Sequence, residues 1–173
     1  NGNRINKILE NGTFTNYTFD AANRLLSLDN LKGGGVSFSR FDYGYDNVNR
    51  QKYVQKDQNK GDVYGYDAVD QVIDTRYEVA NPDSDPGVPA RTVNYSLDAS
   101  GNRTVVTDNG NITTYAANNL NQYTSVGTGS LTYTSNGSLQ TFDGWTYTYD
   151  AQDRLLKATK SSTTVDFTYD PEN

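Results

Sequence analysis

A short pattern of hydrophobic and polar positions recurs along the chain. Two aromatic residues, separated by one small or hydroxyl-bearing residue, are followed by Asp, a short polar segment, an Arg or Gln and an apolar residue. The clearest copies run from Tyr17 to Leu25 and from Tyr147 to Leu155. Aromatic side chains at positions i and i+2 lie on one face of a β-strand, so each copy predicts a strand that ends at the Asp.

The residues after each predicted strand favour a tight turn. An Asp carboxylate accepts hydrogen bonds from backbone N–H groups just after it, and Asn or Gly tolerates a positive φ. The Arg or Gln and the apolar residue then begin a returning strand, as in the segment from Arg24 to Leu28. One copy of the pattern therefore predicts one β-hairpin.

The copies together define a repeat signature of aromatic, acidic and basic positions. Its members are Tyr17, Phe19, Asp20, Arg24, Tyr43, Tyr45, Asp46, Arg50, Tyr64, Tyr66, Asp67, Tyr95, Asp98, Arg103, Tyr115, Tyr133, Tyr147, Tyr149, Asp150, Arg154, Tyr169 and Asp170. Successive copies are about 21 residues apart on average, a spacing typical of solenoid proteins. We interpret these residues as a structural signature, with stacked rings from neighbouring hairpins forming the core.

This pattern predicts an all-β protein with no helix, because no segment keeps a 3.6-residue apolar period. We expect one domain of about eight tandem hairpins over residues 1–173, truncated within a repeat at both ends. A segment rich in Pro and Asp at 81–89 predicts a surface loop. An open antiparallel sheet of this many strands is expected to curve and spiral.

Composition excludes several kinds of chemistry. The chain has no Cys and no His, so disulfides, thiolate catalysis and a Ser-His-Asp triad are excluded. The 14 Tyr among 173 residues indicate an ordered chain with a core built largely from Tyr. A net charge of −6 gives no electrostatic reason to bind nucleic acid, and the short apolar runs predict no membrane span.

Few residues stand out as candidates for ligand chemistry. Trp145 is the single Trp and is the one candidate for contact with a sugar ring. Asp83 and Asp85 form the densest acidic loop, but each loop offers too few oxygen ligands for a calcium site, so we expect no metal and no cofactor. Glycosidase-like acid-base catalysis is the one common chemistry left, and the carboxylates are too dispersed to favour it. We therefore expect no catalytic residues and no enzymatic activity.

The Tyr-Asp signature resembles the YD repeat of the Rhs family. That family includes bacterial Rhs polymorphic toxins, shell-forming components of insecticidal toxin complexes and animal teneurins. The resemblance implies a strip of β-hairpins that spirals into a hollow shell, which encloses a toxin domain in the bacterial members. It also carries an association with carbohydrate and cell-surface binding. The dipeptide Asp170-Pro171 is read as an ordinary repeat turn, so the self-cleavage of full Rhs proteins is not transferred.

The resemblance and the residues lead to two functional hypotheses. The first is a structural segment of a large exported bacterial protein, forming part of a β-shell or stalk that encapsulates or presents a toxin or effector. The alternative is a module that binds carbohydrate or another cell-surface ligand. The expected partners are the remainder of a longer chain or another copy through edge strands, with an enclosed effector or a surface glycan as further candidates. Secretion or display on the bacterial surface is the expected location.

Overall fold

The computed structural model describes residues 2–56, 59–84 and 87–170. These residues form β-strands joined by turns and loops, and no α-helix occurs among them. Every strand pair whose register is defined is antiparallel, and within each sheet the strands lie in sequence order. The predicted fold class of tandem antiparallel hairpins is therefore confirmed.

In the described part of the chain, seventeen strands make up two sheets, and the first twelve strands form the larger sheet in sequence order. They are Asn6–Ile8 (β1), Phe14–Phe19 (β2), Leu25–Leu31 (β3), Ser37–Tyr45 (β4), Gln51–Gln55 (β5), Lys60–Tyr66 (β6), Val72–Ala80 (β7), Arg91–Leu97 (β8), Arg103–Asp108 (β9), Asn111–Ala117 (β10), Tyr123–Val126 (β11) and Gly129–Ser130 (β12). The smaller sheet contains Thr132–Tyr133 (β13), Leu139–Phe142 (β14), Trp145–Tyr149 (β15), Leu155–Lys160 (β16) and Thr163–Asp166 (β17).

Six copies of the sequence pattern form hairpins with the same register. The residue before the turn Asp pairs with the residue five positions after that Asp, as Phe19 does with Leu25. The next pair is Thr18 with Ser27, so Leu26 is one extra residue in the returning strand. The same shift occurs in five further hairpins. This regular β-bulge bends and twists the returning strand at the same point in these six hairpins.

The chain divides into two compact units, which are Asn1–Tyr95 with Thr107–Asn111, and Ser96–Val106 with Ile112–Asn173. The first unit contains the most deeply buried side chains. Val63, Val79 and Val93 on β6, β7 and β8 are each at most 3% exposed. The expectation of one repeat domain over residues 1–173 stays a prediction.

The segment predicted as a surface loop is partly anchored in the first unit. Asn81, Asp83 and Ser84 are exposed, whereas Pro82 is fully buried. Its Cγ lies close to the backbone of Gly61, where a Cβ would come within 2.9 Å of that atom. Residues 85–86 of the predicted loop lie outside the described residues. Pro82 therefore adds an apolar contact that loop composition alone did not predict.

The side chains of the second unit are less buried, and aromatic rings pack against one another and against the backbone within this unit. Ala158 on β16 is its buried apolar residue. The rings of Tyr115 and Tyr123 lie 5.3 Å apart and are inclined by 58°. A Cβ on Gly129 would lie 3.1 Å from the Phe142 ring, so that ring covers β12. Aromatic rings therefore supply packing that aliphatic side chains provide in the first unit. No helix of the described residues could span a membrane.

Candidate functional site

The Asp that ends each first strand organises the turn that follows. In the second full repeat, Asp46 Oδ1 accepts the N–H groups of Val48 at 3.0 Å and Arg50 at 2.9 Å. The same two bonds, to the residues two and four positions on, are made by Asp20, Asp67, Asp98, Asn118 and Asp150. An Asx-type turn therefore closes six of the hairpins.

The third residue after the Asp has left-handed backbone geometry in every described repeat turn. Its φ is 63° at Asn23, 72° at Asn49 and 82° at Gly101. The remaining members are Asp70, Asn121, Gly137 and Asp153. Asn, Asp and Gly are the residues that adopt this geometry most readily, which explains the predicted polar turn composition.

The fourth residue after the Asp returns to that carboxylate with its side chain. Arg24 Nε lies 2.6 Å from Asp20 Oδ2, and Arg50 Nε lies 2.6 Å from Asp46 Oδ2. The N–H groups of Arg24, backbone first and then guanidinium, hold the pKa of Asp20 below its ordinary value. Gln71 makes the corresponding uncharged bond to Asp67 at 3.1 Å.

At three junctions the same Arg covers an aromatic ring of the next repeat. Arg24 Cζ lies 4.7 Å from the centroid of the Tyr45 ring, and Arg50 Cζ lies 4.8 Å from that of Tyr66. Arg154 lies 4.8 Å from Tyr169 in the same way. A guanidinium over a Tyr face is a favourable cation–π arrangement. The Arg therefore joins its own turn to the following hairpin.

The covered Tyr completes the junction with its hydroxyl group. Tyr45 Oη donates to the Leu25 carbonyl at 2.9 Å, and Tyr66 Oη donates to that of Gln51 at 2.7 Å. Tyr133, Tyr149 and Tyr169 donate to equivalent carbonyls in the repeat before them. The recurrence of Tyr rather than Phe at the second aromatic position was the sequence signal for this bond, and the core interpretation of the rings missed it.

Neighbouring turns are also bonded directly to one another. Arg50 Nη1 donates to Asp70 Oδ1 at 2.9 Å and to the Asp67 carbonyl at 3.0 Å. Arg24 donates to Asn49 Oδ1 at 2.8 Å. We call the Asp, the residue four positions later and the Tyr of the next repeat the inter-repeat clamp. It is complete at three junctions, those that follow Asp20, Asp46 and Asp150.

The predicted signature residues fall into three groups. Tyr17, Tyr43, Tyr64, Tyr95, Tyr115 and Tyr147 occupy the first aromatic position of their strands. Complete clamps contain Asp20, Asp46 and Asp150 with Arg24, Arg50 and Arg154 and with Tyr45, Tyr66 and Tyr169. Asp67 and Asp98 close their turns, but the next repeat has Leu97 or Ala117 in place of the second Tyr. Arg103 lies outside it, because Asn102 takes the fourth position, bonding Asp98 Oδ2 at 3.0 Å and Asn121 Oδ1 at 3.0 Å. The N–H of Arg103 instead donates to the Tyr123 hydroxyl.

Trp145 lies at the start of β15, after the turn at Asp143 and Gly144, as predicted. Its ring is nearly parallel to that of Tyr147, with an interplanar angle of 20° and centroids 6.5 Å apart. Trp145 pairs with Phe142 across the strands. Its half-buried ring is therefore part of an aromatic row on one strand face.

A charged cluster that the sequence did not indicate lies between β5, β6 and β7. Asp62 is buried, and its Oδ1 accepts the N–H of Glu78 at 3.2 Å while its Oδ2 lies 2.9 Å from Lys56 Nζ. The hydrogen bond to Asp62 raises the pKa of Lys56. Glu78 has a φ of 53°, a strained geometry for Glu. Asp62 thus stabilises an irregularity in strand pairing.

The polar groups of the clamp are bonded to one another and stabilise the turns. Its carboxylates are bonded to backbone N–H groups and, at three turns, to guanidinium groups. Among residues 2–56, 59–84 and 87–170, no group of three or more acidic side chains is placed to hold a metal ion. Asp85, one half of the acidic loop considered above, lies outside these residues.

Comparison with known proteins identifies structures of the same fold. No protein-family model and no curated protein sequence matches the chain. The structure of TcdB2-TccC3-TEV matches with a TM-score of 0.62 and 15% identity, over 95% of this chain and 11% of that chain. The Photorhabdus luminescens Tc holotoxin pore matches with a TM-score of 0.60 and 16% identity, over 96% of this chain and 11% of that chain.

A third structure, of TcdB2-TccC3, gives a TM-score of 0.62 at 16% identity, over 96% of this chain and 12% of that chain. At such low identity the likeness establishes the fold. The resemblance to toxin-complex shell components, inferred from the Tyr-Asp signature, is confirmed at that level. The chain spans about one ninth of the solved chains that it matches.

Proposed function

We propose that the chain is a structural segment of an Rhs/YD-repeat protein, forming part of a β-shell. The observation that carries this proposal is the inter-repeat clamp, which is complete at the junctions that follow Asp20, Asp46 and Asp150. Each clamp joins a turn to the next hairpin, so a row of clamps is suited to stiffen a long sheet along its turn edge. An architecture of this kind is suited to form a wall.

The size of the matched structures supports a larger parent protein. This chain covers only 11–12% of the matched chains, and one of the matched structures is a Tc holotoxin pore. We therefore propose an exported bacterial parent whose shell encloses or presents an effector polypeptide. The enclosed polypeptide would contact the sheet, and the rest of the parent chain would pair with its edge strands.

The proposed role is not enzymatic. A catalytic carboxylate needs freedom to exchange protons or to attack a substrate. The clamp carboxylates at Asp20, Asp46 and Asp150 are instead bonded to an Arg and to two backbone N–H groups each. These bonds favour a role in stabilising turns.

The test uses the full-length parent protein and a protease. If the segment is part of a closed wall, the enclosed polypeptide resists digestion, and Asp46→Ala with Arg50→Ala makes it protease-sensitive. Val48→Ala, at the exposed tip of the same turn, is the matched control and should leave protection unchanged. Digestion of the enclosed polypeptide at the same rate in all three proteins would refute the shell role.

The alternative of carbohydrate binding rests on Trp145 and has its own experiment. The stacking of this ring beside Tyr147 gives an aromatic row of the kind that packs on sugar rings. A glycan array probed with the 173-residue chain and with Trp145→Ala would support this alternative if binding were robust and lost in the variant. Binding that is absent, or equal for both proteins, would refute it.

A further inference from the structure

One internal junction between repeats lacks the Arg of the complete clamp. In the turn that opens at Thr134, the fourth residue after the turn residue is Ser138, whose N–H donates to Thr134 Oγ1 at 3.1 Å. The next repeat supplies Tyr149, whose hydroxyl donates to the Leu139 carbonyl at 2.7 Å, as the Tyr of a complete clamp does. In the described part of the chain, no Lys or Arg side chain covers the Tyr149 ring.

The turn after Tyr149 also carries a carboxylate that no Lys or Arg among the described residues pairs with, that of Asp153. Asp153 is exposed. Asn136 Nδ2 lies 3.1 Å from its Oδ1 and 3.4 Å from its Oδ2. Because a carboxylate has about four acceptor sites, Asp153 has capacity for further donors.

The junction before Tyr66 shows how a guanidinium fits the same set of groups. Arg50 there has the position that Ser138 has in its own repeat. Its Cζ lies 4.8 Å from the centroid of the Tyr66 ring. Its Nη1 donates to Asp70 Oδ1 at 2.9 Å and to the Asp67 carbonyl at 3.0 Å. The protein thus contains its own template for a guanidinium bound by a ring face, a carboxylate and a carbonyl.

The ring and both acceptors have counterparts at the junction before Tyr149. The Asp150 carbonyl accepts the N–H of Asp153 at 3.1 Å, and the template turn contains the same bond. Asp153 has a φ of 58°, close to the 67° of its counterpart Asp70. The two turns therefore have the same geometry, and the short Ser138 side chain supplies no guanidinium to the second.

A second Arg in the same turn does not prevent a guanidinium from occupying this position. Arg154 Nε lies 2.7 Å from Asp150 Oδ2. The first complete clamp contains the same arrangement, because Arg24 covers the Tyr before a turn in which Arg50 pairs with Asp46. Two guanidinium groups are therefore compatible with one turn of this kind.

We propose that the junction between Ser138 and Tyr149 binds the guanidinium group of an arginine side chain presented by another polypeptide. The bound guanidinium covers the Tyr149 ring and donates to the Asp153 carboxylate and the Asp150 carbonyl. A planar guanidinium suits both the ring face and a carboxylate. The net charge of −6 favours the approach of a basic partner. This site is separate from the shell role and does not depend on it.

The test is an NMR titration of the 173-residue chain at constant ionic strength. The probe is N-acetyl-arginine methylamide, with the uncharged citrulline analogue and the lysine analogue as comparisons. We expect saturable shifts at the Tyr149 ring and the Asn136 side-chain amide, with a Kd on the order of 10 mM for one such side chain. The Tyr66 ring, which Arg50 already covers, is the internal control and should not shift. Citrulline should cause no saturable shift, and lysine should bind at least about threefold more weakly.

The decisive variant is Ser138→Arg, which supplies the missing guanidinium from the chain itself. It should weaken binding of the probe by at least about tenfold, because both compete for one position. Ser100→Arg makes the same substitution at an exposed position of another turn and should leave the Kd within about twofold. Asp153→Asn keeps a residue type that other repeats have at this position, such as Asn49, and should weaken binding at least about fivefold.

Any of four results overturns the proposal. The first is the absence of saturable shifts at Tyr149 with the arginine probe. The second is equal binding of the citrulline or lysine analogue, which would show that the guanidinium is not recognised. The third is undiminished binding to folded Ser138→Arg, and the fourth is undiminished binding to Asp153→Asn. None of these results affects protease protection in the parent protein, so this inference and the proposed function fail independently.

Discussion

At the scale of single residues, the turn Asp has two functions, which are closure of the turn and ion pairing with Arg. One oxygen of Asp46 accepts two backbone N–H groups, and the other binds Arg50. Asn118 keeps the first function without charge, since its Oδ1 accepts the N–H groups of Leu120 and Gln122. Comparison of Asp46 with Asn118 therefore shows that a turn can close without the ion pair.

Substitutions at Asp46 should reproduce this separation. Asp46→Asn keeps the acceptor for both N–H groups and loses the ion pair, whereas Asp46→Ala loses both. We expect the midpoint temperature of unfolding at pH 7 to fall in the order wild type, Asp46→Asn, Asp46→Ala. Because protonation removes the ion pair, the first difference should shrink at pH 3. Equal midpoints for Asn and Ala variants would contradict the role of Oδ1.

Gly44 and Gly65 each lie between two aromatic residues, but different neighbours limit the space for a side chain at the two positions. A Cβ at Gly44 would lie 2.0 Å from Cε1 of the Tyr53 ring, so the ring packs directly on the glycine backbone. At Gly65 the nearest atom would be Asp74 Cβ at 3.1 Å. Ring packing on Gly44 is a cross-strand contact that the sequence alone does not reveal.

Alanine substitutions should distinguish the two glycines. Gly44→Ala should lower the free energy of unfolding by about 1–3 kcal/mol, because the Tyr53 ring must move. Gly65→Ala should be nearly neutral, since Ala also lowers the entropy of the unfolded chain. Urea unfolding of both variants measures this. Equal losses would mean that the Tyr53 contact does not restrict the position.

At the scale of elements, the hairpin boundaries were predictable and the links between hairpins were not. Aromatic alternation and turn residues are local signals, and they correctly placed β2 with β3, β4 with β5 and β15 with β16. The clamp joins residues of different repeats, such as Arg24 and Tyr45. Local periodicity carries no information about which ring a given Arg covers.

The hydroxyl bond between hairpins is testable with a change of one atom. Tyr45→Phe removes the bond to the Leu25 carbonyl and should lower the free energy of unfolding by about 0.5–1.5 kcal/mol. Tyr43→Phe, two residues earlier, is the matched control, because its hydroxyl has no hydrogen bond within the described part of the chain. Chemical denaturation should show a clearly larger loss for Tyr45→Phe. A loss of similar size in both variants would contradict the clamp.

At the scale of the whole molecule, burial is concentrated where the repeat is interrupted. The clamp recurs in both compact units, yet the deepest side chains belong to the first. Val79 and Pro82 are fully buried next to the connection between β7 and β8. The segment predicted as a simple surface loop thus contributes to packing, because it folds against the sheet at Gly61.

Stability should be constant near neutral pH and fall on both sides. Hydrogen bonds within their own turns lower the pKa of Asp20, Asp98 and Asp150. Their contribution is present above the ordinary Asp pKa of about 4 and is lost as the pH falls through the lower folded values. Burial raises the pKa of Tyr43 and Tyr64 above the ordinary value. Their contribution is present below about pH 10 and is lost as the pH rises further.

The chain has no His, so no side chain is expected to titrate between about pH 5 and pH 9. The free energy of unfolding, measured in urea at intervals from pH 3 to pH 11, should be level in this range. It should decline below about pH 4 and above about pH 10. A rise in stability on acidification below pH 4 would contradict the lowered pKa values of the clamp carboxylates.

The sequence by itself determined the hairpin, its turn and its repetition, because these depend on neighbouring residues. Alternating aromatics require a strand, and Asp with Asn, Asp or Gly three positions later requires a turn of one kind. Only the tertiary structure decided which side chains meet across repeats, since those contacts depend on register and on the β-bulge. It placed Arg24 over Tyr45, and it placed Asn102 rather than Arg103 at the fourth position after Asp98.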